Sequence, residues 1–241
     1  EMPAINPTAG LNAAEAERLA AAWRAGEHIY TAQRSPLYAA LSKAGAEDPE
    51  ILALSAQALG AAPPVHLFIS AHYLLLGGIE DRLARFFPTL TENPAPPDEA
   101  WPDFRRFCIS HRDELAGLLR TKPVQMTYVE RCRVLMPAMC LAGEMAGAPM
   151  HIVELGCSAG IMLIFDKYAY EMRPGEVVGP LDAEIRLKGE LHGKAKLEMP
   201  QVLSRTGIDL KLIDSHLAAD RRWMLATCFP EVLGEQQRLA R

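Results

Sequence analysis

His151-Ile152-Val153-Glu154-Leu155-Gly156-Cys157-Ser158-Ala159-Gly160 is the stretch on which the fold turns. A short β-rich run, 151–155, stops at a glycine and gives way to small residues. Ile161-Met162-Leu163-Ile164-Phe165 then reads as the start of a helix continuing to Tyr170. The expected unit is strand, tight loop, helix. A strand that ends in glycine and small residues leaves backbone open to a ligand that side chains would otherwise cover.

Three chemistries use such a turn. Dinucleotide binding requires G-x-G-x-x-G, with a pyrophosphate on the amides of the following helix; here Ser158 stands at the second glycine and Leu163 at the third. A nucleophile elbow requires G-x-S-x-G, which Gly156 to Gly160 match, and would make Ser158 the nucleophile of a serine hydrolase. Such an enzyme also needs strands ahead of the elbow, an HGGG-like segment, and a later acid and histidine, for which Asp209 and His216 are the candidates. The chain before the loop reads as helical and carries no HGGG-like segment.

The third chemistry is S-adenosylmethionine binding, whose first loop reads acid-x-Gly-x-Gly/Ser-x-Gly. Glu154, Gly156, Ser158 and Gly160 fit it. The cofactor has no pyrophosphate between ribose and amino-acid tail, so one small side chain is tolerated at the middle position. An acid at the strand end suits an ammonium and a sulfonium, and an acid at the next strand end suits the ribose hydroxyls. Asp209, in Gly207-Ile208-Asp209, is the candidate ribose acid, with Asp214 as the fallback; a turn or N-cap aspartate is the plain alternative. An insertion must separate Glu154 from Asp209, because dinucleotide folds place the second acid only about 20 residues on.

Working outward, Leu11 to about Gly147 is Ala- and Leu-rich with proline punctuation, and reads as a helical array. Ser35-Pro36 and Asp48-Pro49-Glu50 are helix starts, each a capping side chain followed by the proline favoured at the first helical position. Trp101, Phe104, Phe107 and His111 share one helical face. A helix over 124–145 carries Val129, Leu135, Met139 and Leu141, and Pro137 should kink or split it. Beyond the loop, 183–191 and 201–212 read as strands, and 217–228 and 231–241 as helices. The fold class is thus α/β: a helical region, 1–147, then a Rossmann-like, class I methyltransferase-like region, 148–241.

A net charge of −5 gives no basic field for a polyphosphate, so nucleic acid is not the expected partner. Cys108, Cys132, Cys140, Cys157 and Cys228 are scattered without a C-x-x-C pair, which fits a reducing cytoplasm rather than a disulfide framework. Glu1 to Gly10 lack the basic start and apolar stretch of a signal peptide, and no apolar run is long enough to span a membrane. The seven histidines show no H-E-x-x-H or comparable ligand spacing, so no metal is expected. His72 reads as a satisfied core histidine, Cys157 as a small packing residue, and Arg131 and Arg133 as surface groups.

Several segments in order resemble the bacterial domain-of-unknown-function family 2332: 35–38, 71–76, 101–104, the helix over 131–138, Glu154 to Gly160, 207–210, 222–225 and Phe229-Pro230. Members look like methyltransferases in their second half, so the resemblance implies an S-adenosylmethionine-dependent protein acting on a small molecule. The family usually has a polar residue after the loop, where Ile161-Met162 stand, and a proline after Gly-Ile-Asp, where Leu212 stands. Members also run on for roughly another hundred residues, enough for the remaining strands of a doubly wound sheet, so the chain is expected to be part of a longer protein. A module that binds a nucleoside-like ligand or a protein without turnover is the remaining alternative.

Overall fold

The computed structural model describes residues 11–60 and 62–240. The Glu1 to Gly10 stretch, read above as lacking a signal peptide, lies outside them. The chain forms two compact units, one running to Val124 and taking back Ala226–Leu233, the other made of Gln125–Leu225 and Gly234–Arg241. Among the described residues no helix is long and apolar enough to cross a membrane.

The first unit is helical, with α1 (Ala13–Ala32), α2 (Pro36–Gly45), α3 (Pro49–Ser55), α4 (Pro63–Leu76), α5 (Trp101–Ser110) and α6 (Arg112–Thr121). Proline at the first turn opens α2, α3 and α4, where its missing N–H costs nothing. Asp48 caps α3 as expected, accepting from the amides of Glu50 and Ile51 at 3.0 and 3.2 Å. Ser35 does not cap α2 with its own hydroxyl. Instead the Glu231 carboxylate accepts from Leu37 N at 2.8 Å and from Ser35 Oγ at 2.7 Å, placing a negative charge at the positive end of the helix.

Every residue of α4 from Pro64 to His72 is buried, as befits a helix apolar all round. Phe68 lies at its centre, with Trp23, Tyr38 and Phe104 around it at ring distances of 5.3, 4.9 and 5.5 Å. On α5, Phe104 and Phe107 face fully inward as their spacing predicts, and His111 ends the helix, tilted over Phe107 at 4.5 Å.

The second unit contains α7 (Cys132–Ala146), β1 (Met150–Leu155), β2 (Ala169–Arg173), β3 (Glu176–Val178), β4 (Arg186–Lys188), β5 (Val202–Ile208), α8 (Ala218–Ala226) and α9 (Leu233–Leu239). Strand β1 pairs in parallel with β5, and β3-β2-β4 form a second, mixed sheet. The expected strands over 183–191 and 201–212 are present as β4 and β5. On one face of the β1–β5 pair Val153, Leu155 and Ile208 are exposed.

Two expectations are corrected. Helix α7 begins at Cys132 rather than 124 and runs through Pro137 unsplit. It buries Cys132, Met136 and Cys140, one turn apart, and leaves Leu141 exposed. The helix expected after the glycine loop is absent: 161–164 are turns, 165–167 a single 3-10 turn, and β2 follows. The reason lies in the tyrosines. Tyr168 Oη donates to Ile161 O at 2.7 Å and Tyr170 Oη to Phe165 O at 2.6 Å, occupying carbonyls that a helix would use, while Ala169 N donates to Ile185 O. Pro174-Gly175, with Gly175 at φ 77°, then turns β2 into β3.

His72 is the core histidine expected, fully buried and stacked on Phe87 at 4.9 Å. A carbonyl can only accept, so Nδ1 donates to Ala226 O at 3.3 Å and Nε2 accepts the Thr89 hydroxyl at 2.8 Å, which fixes the neutral tautomer. Burial pushes its pKa down to about 4 from the usual 6.5. Between those values the unfolded chain binds the extra proton, so this contribution is complete above pH 6.5 and is lost as the pH falls to 4. We expect denaturation midpoints to fall across that window by the equivalent of about 3 kcal/mol, and His72→Gln to flatten the profile there; an unchanged profile in the variant would refute the assignment.

Candidate functional site

The β1–β5 register determines what surrounds the glycine loop. Glu154 lies opposite Gly207 and Leu155 opposite Ile208, so the two strands end side by side. Gly156 N and Cys157 N both donate to Ile208 O, which extends the pairing into the loop. Gly207 leaves room for the loop, since a Cβ there would lie 2.6 Å from Cys157 Sγ and 3.0 Å from Leu163 Cδ1, and Cys157 would have to shift. Cys157 is buried in that contact, as a small packing residue, and burial raises its thiol pKa.

The loop is left-handed at alternate positions, with φ of 78° at Gly156, 53° at Ser158 and 72° at Gly160. Glycine takes this conformation freely, whereas serine is strained in it. A Cβ on Gly156 would meet nothing within 4 Å, so the backbone there is open. Ser158 differs, being buried, with its Oγ lacking a hydrogen-bond partner among the described residues.

Asp209, one residue past β5, holds this conformation in place. Its Oδ2 accepts Ser158 N at 2.8 Å, and its Oδ1 accepts Lys211 N at 2.9 Å and the Gln125 side-chain amide at 3.1 Å. These donors, the Lys211 amide foremost, hold its carboxyl below the usual range. Asp214, the fallback acid, instead accepts from His216 N at 2.9 Å in a local turn.

Glu154 is in the opposite condition. Both carboxylate oxygens are buried and have no hydrogen-bond partner among the described residues. Burial raises its pKa, and the charge of Asp209 adds to the effect. The structure therefore brings Glu154, Gly156, Ser158 and Asp209 together at the carboxyl ends of two parallel strands, where open α/β sheets bind ligands. Gly160 lines a cavity of about 470 Å³ that the sequence did not reveal.

Other candidates are occupied elsewhere. Arg131 lies over the Tyr128 ring at 5.8 Å, and Arg133 donates to the carbonyls of Glu130 and Lys188. Among the described residues no group of three or more His, Cys, Asp and Glu side chains is placed to hold a metal ion.

A family model described as "Uncharacterized protein conserved in bacteria (DUF2332)" matches residues 20–241, and the chain belongs to this family. No curated protein and no solved structure matches the chain.

Two substitutions with opposite outcomes test this local account. Gly207→Ala should destabilise the protein by about 1–3 kcal/mol, because Cys157 must move to admit a methyl group. Ser158→Gly should stabilise it by about 1 kcal/mol by relieving the left-handed serine. Urea denaturation measures both; a destabilised Ser158→Gly variant would mean that the buried hydroxyl has a partner in solution.

Proposed function

We propose that this member of the DUF2332 family binds S-adenosylmethionine on the Glu154 to Gly160 loop and transfers its methyl group to a small molecule, with β1 and β5 as adjacent strands of a Rossmann-like sheet. The observation that carries the reading is the buried Glu154 carboxylate, without a partner beside open Gly156 backbone. An unpartnered buried carboxylate is costly, and a cationic ligand group set against it removes that cost. An ammonium or sulfonium is such a group, so the residues present fit the cofactor.

In this reading Glu154 orients the amino-acid end of the ligand, and the small residues of the loop admit it. Asp209 serves first to hold the loop. Its oxygens already accept three donors, so a ribose hydroxyl would take the acceptor capacity left on Oδ2, which accepts only Ser158 N. Bound S-adenosylmethionine supplies a methyl group already activated by its sulfonium, which leaves positioning of the acceptor as the protein's main task. The five cysteines, all buried and free, suit a cytoplasmic location.

One observation favours a serine hydrolase: Ser158 has the positive φ of a strained elbow nucleophile. Against it, Ser158 Oγ is buried with neither a base nor any other hydrogen-bond partner among the described residues, and no helix follows the loop. Fluorophosphonate labelling of Ser158 would favour that reading, and cofactor binding without methylation of any acceptor would favour a binding module.

Glu154→Gln tests the cofactor site that the transferase and the binding module share. In the folded protein the Glu154 pKa lies above its usual value. Its ionisation therefore subtracts stability as the pH rises through that interval, and the glutamine variant should be the more stable at neutral pH without ligand. The same variant should bind S-adenosylmethionine at least tenfold more weakly by isothermal titration, a loss of about 1.4 kcal/mol. Equal affinity in variant and parent, or no binding to the parent at millimolar ligand, would end the proposal.

A further inference from the structure

A cavity of about 740 Å³ lies within the helical unit, and every residue around it belongs to that unit. Its size suits a small organic ligand. Three alanines of α2, Ala39, Ala40 and Ala44, give it a low apolar wall, and Trp101 at the start of α5 adds an aromatic one. The half-buried Trp101 ring rests against the buried Phe104 at 6.0 Å, tilted by 35°, and also lines the cavity. Of the aromatic side chains, tryptophan attracts cations to its face most strongly. Among the described residues no cation lies over this ring: the two that lie over aromatic rings, Arg85 and Arg131, are on Phe86 and Tyr128.

Three ionisable side chains line the cavity, Glu27, Lys43 and Asp98. Glu27 and Lys43 pair with each other at 3.3 Å. Asp98, in the 3-10 turn over 97–99, is exposed, and its side chain has neither an ion pair nor a hydrogen bond among the described residues. It precedes Trp101 by three residues, and the backbone between them stays helical through Ala100, so the carboxylate and the indole share one side. The amino end of α5 contributes about half a positive charge, which the full charge of Asp98 outweighs. Water screens Asp98, so the aromatic contact carries the larger share of an attraction for cations and the carboxylate adds to it.

We infer that this cavity binds an alkylated ammonium group, its methyl or methylene surface on Trp101 and the alanines and its charge beside Asp98. The inference uses none of the loop residues and stands apart from the methyl-transfer reading.

The probes are choline and 3,3-dimethyl-1-butanol, which has nearly the same shape without the charge, each titrated calorimetrically into the whole chain. Choline should bind at millimolar concentration or below, and the alcohol about three- to tenfold more weakly. Trp101→Leu should bring choline down to the level of the alcohol. Asp98→Asn should weaken choline about two- to fivefold and leave the alcohol unchanged. The Asp98 side chain is exposed and unpaired, so this variant should fold, and circular dichroism checks both variants. Phosphatidylcholine vesicles separate two sources of the group. A chain that stays in the supernatant while binding choline takes a free cation, whereas co-sedimentation that Trp101→Leu abolishes identifies a lipid headgroup. No choline binding, equal affinity for choline and the alcohol, or unchanged choline affinity in either folded variant would each overturn the inference.

Discussion

The Asp209 carboxylate accepting the Ser158 amide ties the end of β5 to the loop that follows β1, and the arrangement of the site depends on that bond. It can form only because β1 and β5 are parallel neighbours whose carboxyl ends coincide. The register is equally restrictive. A slip of one residue would place Thr206 or Ile208 where Gly207 now admits Cys157, and a side chain there would displace the loop.

Two acids at the adjoining ends of β1 and β5 are thus in opposite states. Asp209 is surrounded by donors and keeps its charge, whereas Glu154 has buried oxygens, no donor and an anionic neighbour. Environments that drive two carboxyl groups apart in this way commonly assign them different tasks. Here the separation arises from backbone geometry, since two of Asp209's donors are main-chain amides whose positions follow from the turn.

Much of this was legible in the sequence. Proline placement revealed the starts of α2 and α3, and the strand and glycine pattern revealed β1, the loop and β5, with Asp209 beside it despite an insertion of unusual length. The helix after the loop was misread because five consecutive apolar residues, Ile161 to Phe165, carry no period that separates helix from turn. What decides it, two tyrosine hydroxyls on backbone carbonyls, depends on how β2 packs. Pro174-Gly175 between β-type runs is the hairpin signal that matches the β2–β3 turn. The low-period stretch before Cys132 misled in the same way, and the one-turn spacing of Cys132, Met136 and Cys140 was the better guide to the buried face of α7.

The cap on α2 could not have been foreseen, because Glu231 stands 194 residues after the amide it accepts. That distance has a consequence for biosynthesis. At about 5–20 residues per second, a ribosome needs on the order of ten to forty seconds between making Leu37 and making its partner. Through that interval the first turn of α2 emerges with its amide uncapped, so the cap forms only after the segment carrying Glu231 has left the exit tunnel.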